Sequence, residues 1–362
     1  MTVLGTRPDG LGLLEALCAL PGVSGQEAAV TAALKQHLCG VAEVEQDRLG
    51  NAWAYAGGPD TRGVALIAHA DQIGFIVTDV DDRGFVCMER VGEAFGDLLP
   101  GRELVVHASS GPVHGVVGRT PRDLVVPEEL DKVADVRDQW LDIGARTREE
   151  ALEVLRIGDP VTFVPRFLRL KNGLLASPAL DDRAGLYVVL RAFEEWVGAG
   201  GQRGDTGHEN RVAVVATARE ETGFLGARAL ARLLACEVAI VVDVIFASDD
   251  PGVSSRRAGG RVELGKGPVI ARGTASAEHL VRLAEGVAEE KHIPFQLRAA
   301  AGLAGTDADE MLTAHGCSVL SVSIPLRYMH SAMEVVAEAD LEACQGLLVG
   351  VIGAWERRRG GA

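Results

Sequence analysis

Two continuous apolar runs, Val64-Ala-Leu-Ile-Ala68 and Arg211-Val-Ala-Val-Val-Ala-Thr217, limit what this chain can become more than any other feature. A strand with one wet face alternates polar and apolar residues. These runs do not, so both of their faces must be covered. Further strands are expected at Val238–Val242 and Ser318–Ile324, with helical spacing at Arg183–Val197, Gly223–Leu234, Ser276–Lys291 and Leu341–Trp355. That alternation predicts an α/β fold, a three-layer sandwich around a mostly parallel central sheet. Near the start, Leu11–Leu38 has helical spacing broken at Pro21–Gly25, and Ser24 with Glu27 reads as a capping box for the second helix.

Between Ile73 and about Val164 the texture changes to short alternating strands punctuated by Gly and Pro, including Gly84–Met88, Glu103–His107 and Pro112–Val117. Helix and strand alternation resumes afterwards, so residues 73–164 read as a small β-barrel inserted into one α/β domain formed by 1–72 and 165–362. Thr147-Arg-Glu-Glu150 signals a capped short helix. The stretches Pro127–Asp138 and Gly198–Asn210 read as surface loops, the Arg203-Gly204-Asp205 triplet in the second being loop composition.

A formal net charge of -15 argues against nucleic acid or an anionic membrane as partner. Six scattered cysteines, without a Cys-x-x-Cys, suit a reduced, cytoplasmic protein. Neither a leader peptide nor a membrane-spanning run is read in the sequence.

The apolar runs end on chemistry. Glu220 and Glu221 follow Arg211–Thr217, His69 with Asp71 follows Val64–Ala68, Asp243 follows Val238–Val242, and His330 follows Ser318–Ile324. Asp181 and Asp182 precede a helix, where Asp also caps well. Each residue alone has an ordinary explanation. Together they place carboxylates and imidazoles along one edge of one sheet, where ligands of open α/β folds collect. Buried charges there need a countercharge, and two divalent cations would provide it. Adjacent carboxylates leave a strand end in different directions, so one can bind metal while the other moves protons. Which of Asp181 and Asp182 faces the metals stays open at this level.

The motifs Pro21–Gly25, Asp47-Arg-Leu-Gly-Asn51, His69-Ala-Asp-Gln-Ile-Gly-Phe75, Ile143–Ala145 and Gly158–Pro160 run in order along the chain. They continue with Ala179-Leu-Asp-Asp-Arg183, Arg219-Glu-Glu-Thr-Gly223, Leu264–Pro268, Gly305-Thr-Asp-Ala308 and Arg327-Tyr-Met-His-Ser331. In these the chain resembles the tetrahedral aminopeptidase and glutamyl aminopeptidase family of dinuclear metallopeptidases. The resemblance implies His69, Asp181 and Asp243 on one metal and Asp181, Glu221 and His330 on the other. Asp181 would be the bridge, since such enzymes use the first Asp of the pair, often with a cis peptide following it. Asp71 would orient His69, and Glu220 would be the general base. Zinc or cobalt is implied, with manganese an option. Short peptides with a free N-terminus would be the substrates. The barrel, PDZ-like, would build homodimers that assemble into a homododecamer. Ile245, Phe246, Thr306 and Asp307 are candidates for the substrate pocket. Relatives commonly carry Thr near Ile245, and the apolar pair here suits aliphatic substrates. A dinuclear deacylase or carboxypeptidase, or a non-catalytic assembly protein of the same fold, are the competing readings.

Overall fold

The computed structural model describes residues 10–58, 63–125, 133–201, 211–234, 236–314 and 317–360. The chain opens with helices α1 (Leu11–Cys18) and α2 (Ala28–His37) and strands β1 (Val44–Gln46), β2 (Ala52–Gly57) and β3 (Gly63–His69). Strands β4 (Gly74–Val80), β5 (Val86–Val91), β6 (Glu103–Ala108), β7 (Gly111–Gly118), β8 (Trp140–Asp142) and β9 (Pro160–Phe163) follow, with helix α3 (Arg148–Val154) among them. Strands β10 (Leu168–Arg169) and β11 (Leu174–Ser177), helix α4 (Leu180–Trp196), strand β12 (Arg211–Thr217), helix α5 (Leu225–Leu230) and strand β13 (Cys236–Phe246) come next. The remainder is β14 (Val269–Gly273), α6 (Glu278–Glu290), β15 (Gln296–Ala300), α7 (Asp307–Met311), β16 (Ser318–Leu326), β17 (Glu334–Ala337) and α8 (Glu338–Gly360).

Eight strands form one sheet in the order β1-β2-β12-β3-β13-β16-β14-β15. Its centre, β12-β3-β13-β16, is wholly parallel, as the continuous apolar runs require. One face packs Leu66, Val214, Ile240 and Val322 against α1, α2, α4, α6 and α8. The other packs Ile67, Val215 and Val241 against α5 and α7. Three layers result, in agreement with the sequence. Strands β4 to β9 close into a six-stranded barrel with its own core, in which Phe75 and Phe163 meet edge to face at 5.9 Å.

Local signals fared unevenly. Thr147 caps α3 as expected, its hydroxyl accepting the Glu150 amide at 3.2 Å. The capping box at Ser24 and Glu27 does not form. Glu27 is itself the residue before α2 and makes no side-chain cap, while the Ser24 hydroxyl donates to Asp71 at 2.5 Å. Of the stretch 127–138, residues 127–132 lie outside the described residues, but Val136–Asp138 forms a helical turn with Val136 buried in the barrel core. Most of the Gly198–Asn210 stretch, its Arg-Gly-Asp triplet included, also lies outside the described residues.

Candidate metal centre

Four parallel strands deliver the site. His69 is the last residue of β3, Asp243 lies near the end of β13, Glu220 and Glu221 follow β12, and His330 follows β16. Asp181 and Asp182 sit in the first turn of α4.

The Asp181 carboxylate stands between the two imidazoles. One oxygen lies 3.0 Å from His69 Nε2 and the other 3.3 Å from His330 Nε2. Around His69 Nε2 are Asp243 at 3.8 Å and Glu220 at 4.0 Å, and beside His330 Nε2 is Glu221 at 3.7 Å. Asp182, joined to Asp181 by a cis peptide bond, turns to the main chain and accepts the amides of His69 at 3.3 Å and Gly185 at 2.9 Å. The structure therefore brings Asp181, and not Asp182, to face both rings.

Asp71 sits beneath, fully buried. Its oxygens accept the amides of Glu220 at 3.0 Å and Glu221 at 3.1 Å, and Oδ1 lies 3.5 Å from His69 Nδ1. One side chain thus fixes both ends of the constellation.

The motifs around these residues have mechanical explanations. The loop 218–226 closes on itself through the Gly226 amide to the Ala218 carbonyl at 3.0 Å. Asn51 brackets that closure, accepting the Ala218 amide at 2.9 Å and donating to the Gly226 carbonyl at 3.2 Å. Asp47 holds Asn51 in turn, through its amide at 3.0 Å and its side chain at 2.6 Å. Gly226 admits no side chain, because a Cβ there would lie 2.2 Å from the Ala218 carbonyl oxygen. Glu27 pins the next residue by accepting the Arg219 amide at 3.1 Å. Arg183, fully buried, donates to the Ala70 carbonyl and so ties α4 to the segment after β3.

Two acids that sequence reasoning missed also reach the site. Glu334, at the head of β17, accepts the amides of Asp181 at 3.0 Å and His330 at 2.9 Å. Its partners are backbone groups 153 and four residues away, which leave no spacing signature. Glu93, from the barrel segment, lies 3.3 Å from His330 Nδ1. The neighbouring Gly92, at φ +73°, lets the barrel approach Glu221, whose side chain a Cβ there would meet at 3.3 Å.

Of the pocket candidates, Ile245 and Phe246 end β13, Ile245 half-buried and Phe246 53% exposed. The Thr306 hydroxyl is engaged in capping α7, accepting the Ala308 amide at 3.2 Å. Asp307 is buried and hydrogen-bonded by the Thr217 hydroxyl at the end of β12.

The electrostatics are those of crowded negative charge. Burial raises the carboxyls of Glu220 and Glu221 well above the usual range, with neighbouring carboxylates adding to it. Burial, then Asp181, lifts Asp243 to about 7, and the His69 ring only partly opposes this. Asp181 goes the other way: burial opposes ionisation, but the rings of His330 and His69 hold it well below the usual range. A buried polar atom without a hydrogen-bond partner, Glu221 Oε1, lies in the same cluster. Two overlapping groups present ligand atoms within 4.8 Å of one another, His69 with Asp181 and Glu221, and His69 with Glu220 and Asp243. Carboxylates and imidazoles so packed fit divalent cations, which supply the missing countercharge.

These features define a candidate divalent-metal site at the carboxyl edge of a three-layer α/β sheet. The sequence profile of M42 glutamyl aminopeptidases matches residues 50–347, and the chain belongs to that family of aminopeptidases. It is 34% identical to the lysyl aminopeptidase of Pyrococcus furiosus, over 91% of this chain and 93% of that one. The TET aminopeptidase structure from the marine sediment archaeon Thaumarchaeota archaeon SCGC AB-539-E09 superposes with a TM-score of 0.86 at 31% identity, covering 94% of each chain. The Pyrococcus horikoshii TET1 peptidase, described as assembling into a tetrahedron or a large octahedral shell, superposes at 0.82 with 29% identity, over 93% of this chain and 97% of that one. No helix among the described residues is long and apolar enough to cross a membrane.

Proposed function

We propose that this aminopeptidase removes N-terminal residues from short peptides with two divalent ions, zinc or cobalt, and Glu220 as general base. His69, Asp181 and Asp243 would hold one ion, and Asp181, Glu221 and His330 the other. The observation that carries this reading is the Asp181 carboxylate, one oxygen on each imidazole. When bound, the ions supply Lewis acidity, bringing the pKa of a water toward neutrality and polarising the scissile carbonyl. Glu220 would accept a proton from the attacking water and pass it to the departing amine. Asp71 holds the His69 ring and, through two amides, the orientation of Glu220 against Glu221. The surplus of carboxylates suits a free α-amino group, which restricts cleavage to the first residue.

The barrel is proposed to pair two copies of the chain, and the dimers to build a twelve-subunit tetrahedron in the cytoplasm. Supporting this, Phe95, Val116, Leu124 and Val133 lie exposed in the barrel segment, and the Pyrococcus horikoshii relative assembles into shells. The activity is tested with metal-reconstituted protein and a peptide library, half of it N-acetylated. Shortening from the amino end of free peptides alone supports the proposal. Cleavage of acetylated or carboxyl-terminal bonds instead moves the chain to a deacylase or carboxypeptidase, and no cleavage with any divalent metal leaves it non-catalytic.

A further inference from the structure

Cys236 opens β13, and Cys317 immediately precedes β16, which pairs with β13 in parallel from Val238 and Ser318 onward. On a regular strand Cys236 would share a face with Val238, Ile240 and Val242. The register of β13 against β3 shifts at its start, however, so that Cys236 pairs with Gly63 and Val238 with the very next residue, Val64. Such a bulge re-aims a side chain. Cys236 accordingly packs on the opposite face with Ala239, Val241 and Val319, and Cys317 packs against the same cluster. The two sulfurs stand 3.0 Å apart.

We propose that Cys236 and Cys317 are a disulfide site, a reversible staple between β13 and β16 at the sheet edge opposite the carboxylates. The strands already lie at the spacing of hydrogen-bonded neighbours, about 4.8 Å, within the Cα separations of roughly 4.4–6.8 Å that a disulfide spans. The sulfurs need only close to about 2.05 Å. Access is asymmetric in the useful sense: Cys317 is half-buried and Cys236 buried. Contact with Cys236 also holds the Cys317 thiol below its usual range, whereas burial pushes Cys18 up to about 12 and Cys344 up as well.

The oxidant is a peroxide. The Cys317 thiolate attacks one peroxide oxygen, breaking the O–O bond and leaving a sulfenic acid and hydroxide, which takes up the proton lost by the thiol and departs as water. Cys236 then displaces that sulfenic oxygen as a second water and forms the S–S bond, so two thiols and one hydrogen peroxide give one disulfide and two waters. A dithiol reverses it by exchange. The linked residues are 81 apart, and the loop they close carries β14, α6, β15 and α7. Tying it shrinks the unfolded ensemble without touching the metal-facing end of β13.

Reduced full-length protein is treated with hydrogen peroxide at neutral pH, its remaining thiols are alkylated, and the chain is digested without reductant. The expected product is a peptide pair joined between Cys236 and Cys317, two hydrogens lighter than its parts and separated by dithiothreitol. The thermal midpoint of oxidised protein should also rise by at least about 3 °C over the reduced form, and Cys317→Ser should lose that rise. Recovery of both cysteines alkylated, of Cys317 as a sulfinic acid, or of Cys317 joined to a second chain overturns the proposal. The peptide result is read on the unaltered chain, so poor folding of the Ser variant does not blunt it.

Discussion

Asp182 meets His69 through the main chain, accepting its amide at 3.3 Å, whereas the preceding Asp181 meets the same residue through its ring at 3.0 Å. Adjacent acids therefore do different jobs, and substitution should separate them. Asp181→Asn should lose bound metal and activity together. Asp182→Asn should keep its metal but melt lower, because an amide cannot accept both backbone donors and the unpaired one costs about 1–3 kcal/mol. Elemental analysis beside a thermal melt distinguishes the two.

Glu220 and Glu221 offer a second separation. Glu220→Gln should retain metal and KM while kcat falls by roughly 100-fold or more, as expected for loss of a general base. Glu221→Gln should instead weaken metal binding. Full activity in the Glu220 variant would end its assignment.

Gly226 tests whether the loop that carries these acids must be this tight. A Cβ at Gly226 would sit 2.2 Å from the Ala218 carbonyl oxygen and 2.3 Å from Asn51 Oδ1. Gly226→Ala should cost about 1–3 kcal/mol through forced displacement, and lower kcat by moving Glu220. Denaturant unfolding and steady-state kinetics check both.

Much of this was legible because burial on both faces leaves a continuous signal. The span Arg211–Thr217 is β12 residue for residue, and every metal-ligand candidate reaches one sheet edge. Where competing contacts decide, the reading drifted. The helix expected over Gly223–Leu234 starts only at Leu225, because Phe224, at φ 58°, turns the chain before it begins, and it ends at Leu230 with Ala231–Leu233 closing as a turn. Val238–Val242 extends to Phe246 because β16 continues to Leu326 beside it. Ser24 and Glu27 have the spacing of a cap, yet Asp71 and Arg219, far along the sequence, claim them. Glu334 was missed because its work is done on amides that no residue type reveals.

Asp249 carries a pH dependence away from the metals. Burial raises its carboxyl, but the Arg327 fork at 2.8 and 2.7 Å, with the Leu264 amide, outweighs that and holds it below its ordinary value of 3.8. A depressed folded pKa contributes stability that is complete above the unfolded value and lost as pH falls through the folded one. Asp249→Asn should therefore be less stable by about 1–2 kcal/mol at pH 7. The gap from wild type should narrow below about pH 4, as melts across pH will record.

The central claim meets its most direct test in a titration of metal-stripped protein with zinc or cobalt. Bound ions are counted by elemental analysis while release of the first residue from an unblocked peptide is followed. Activity should be absent after stripping and reach its plateau at two ions per chain, with the N-acetylated peptide untouched throughout. Turnover that survives stripping, or a plateau already reached at one ion per chain, would contradict the two-metal account.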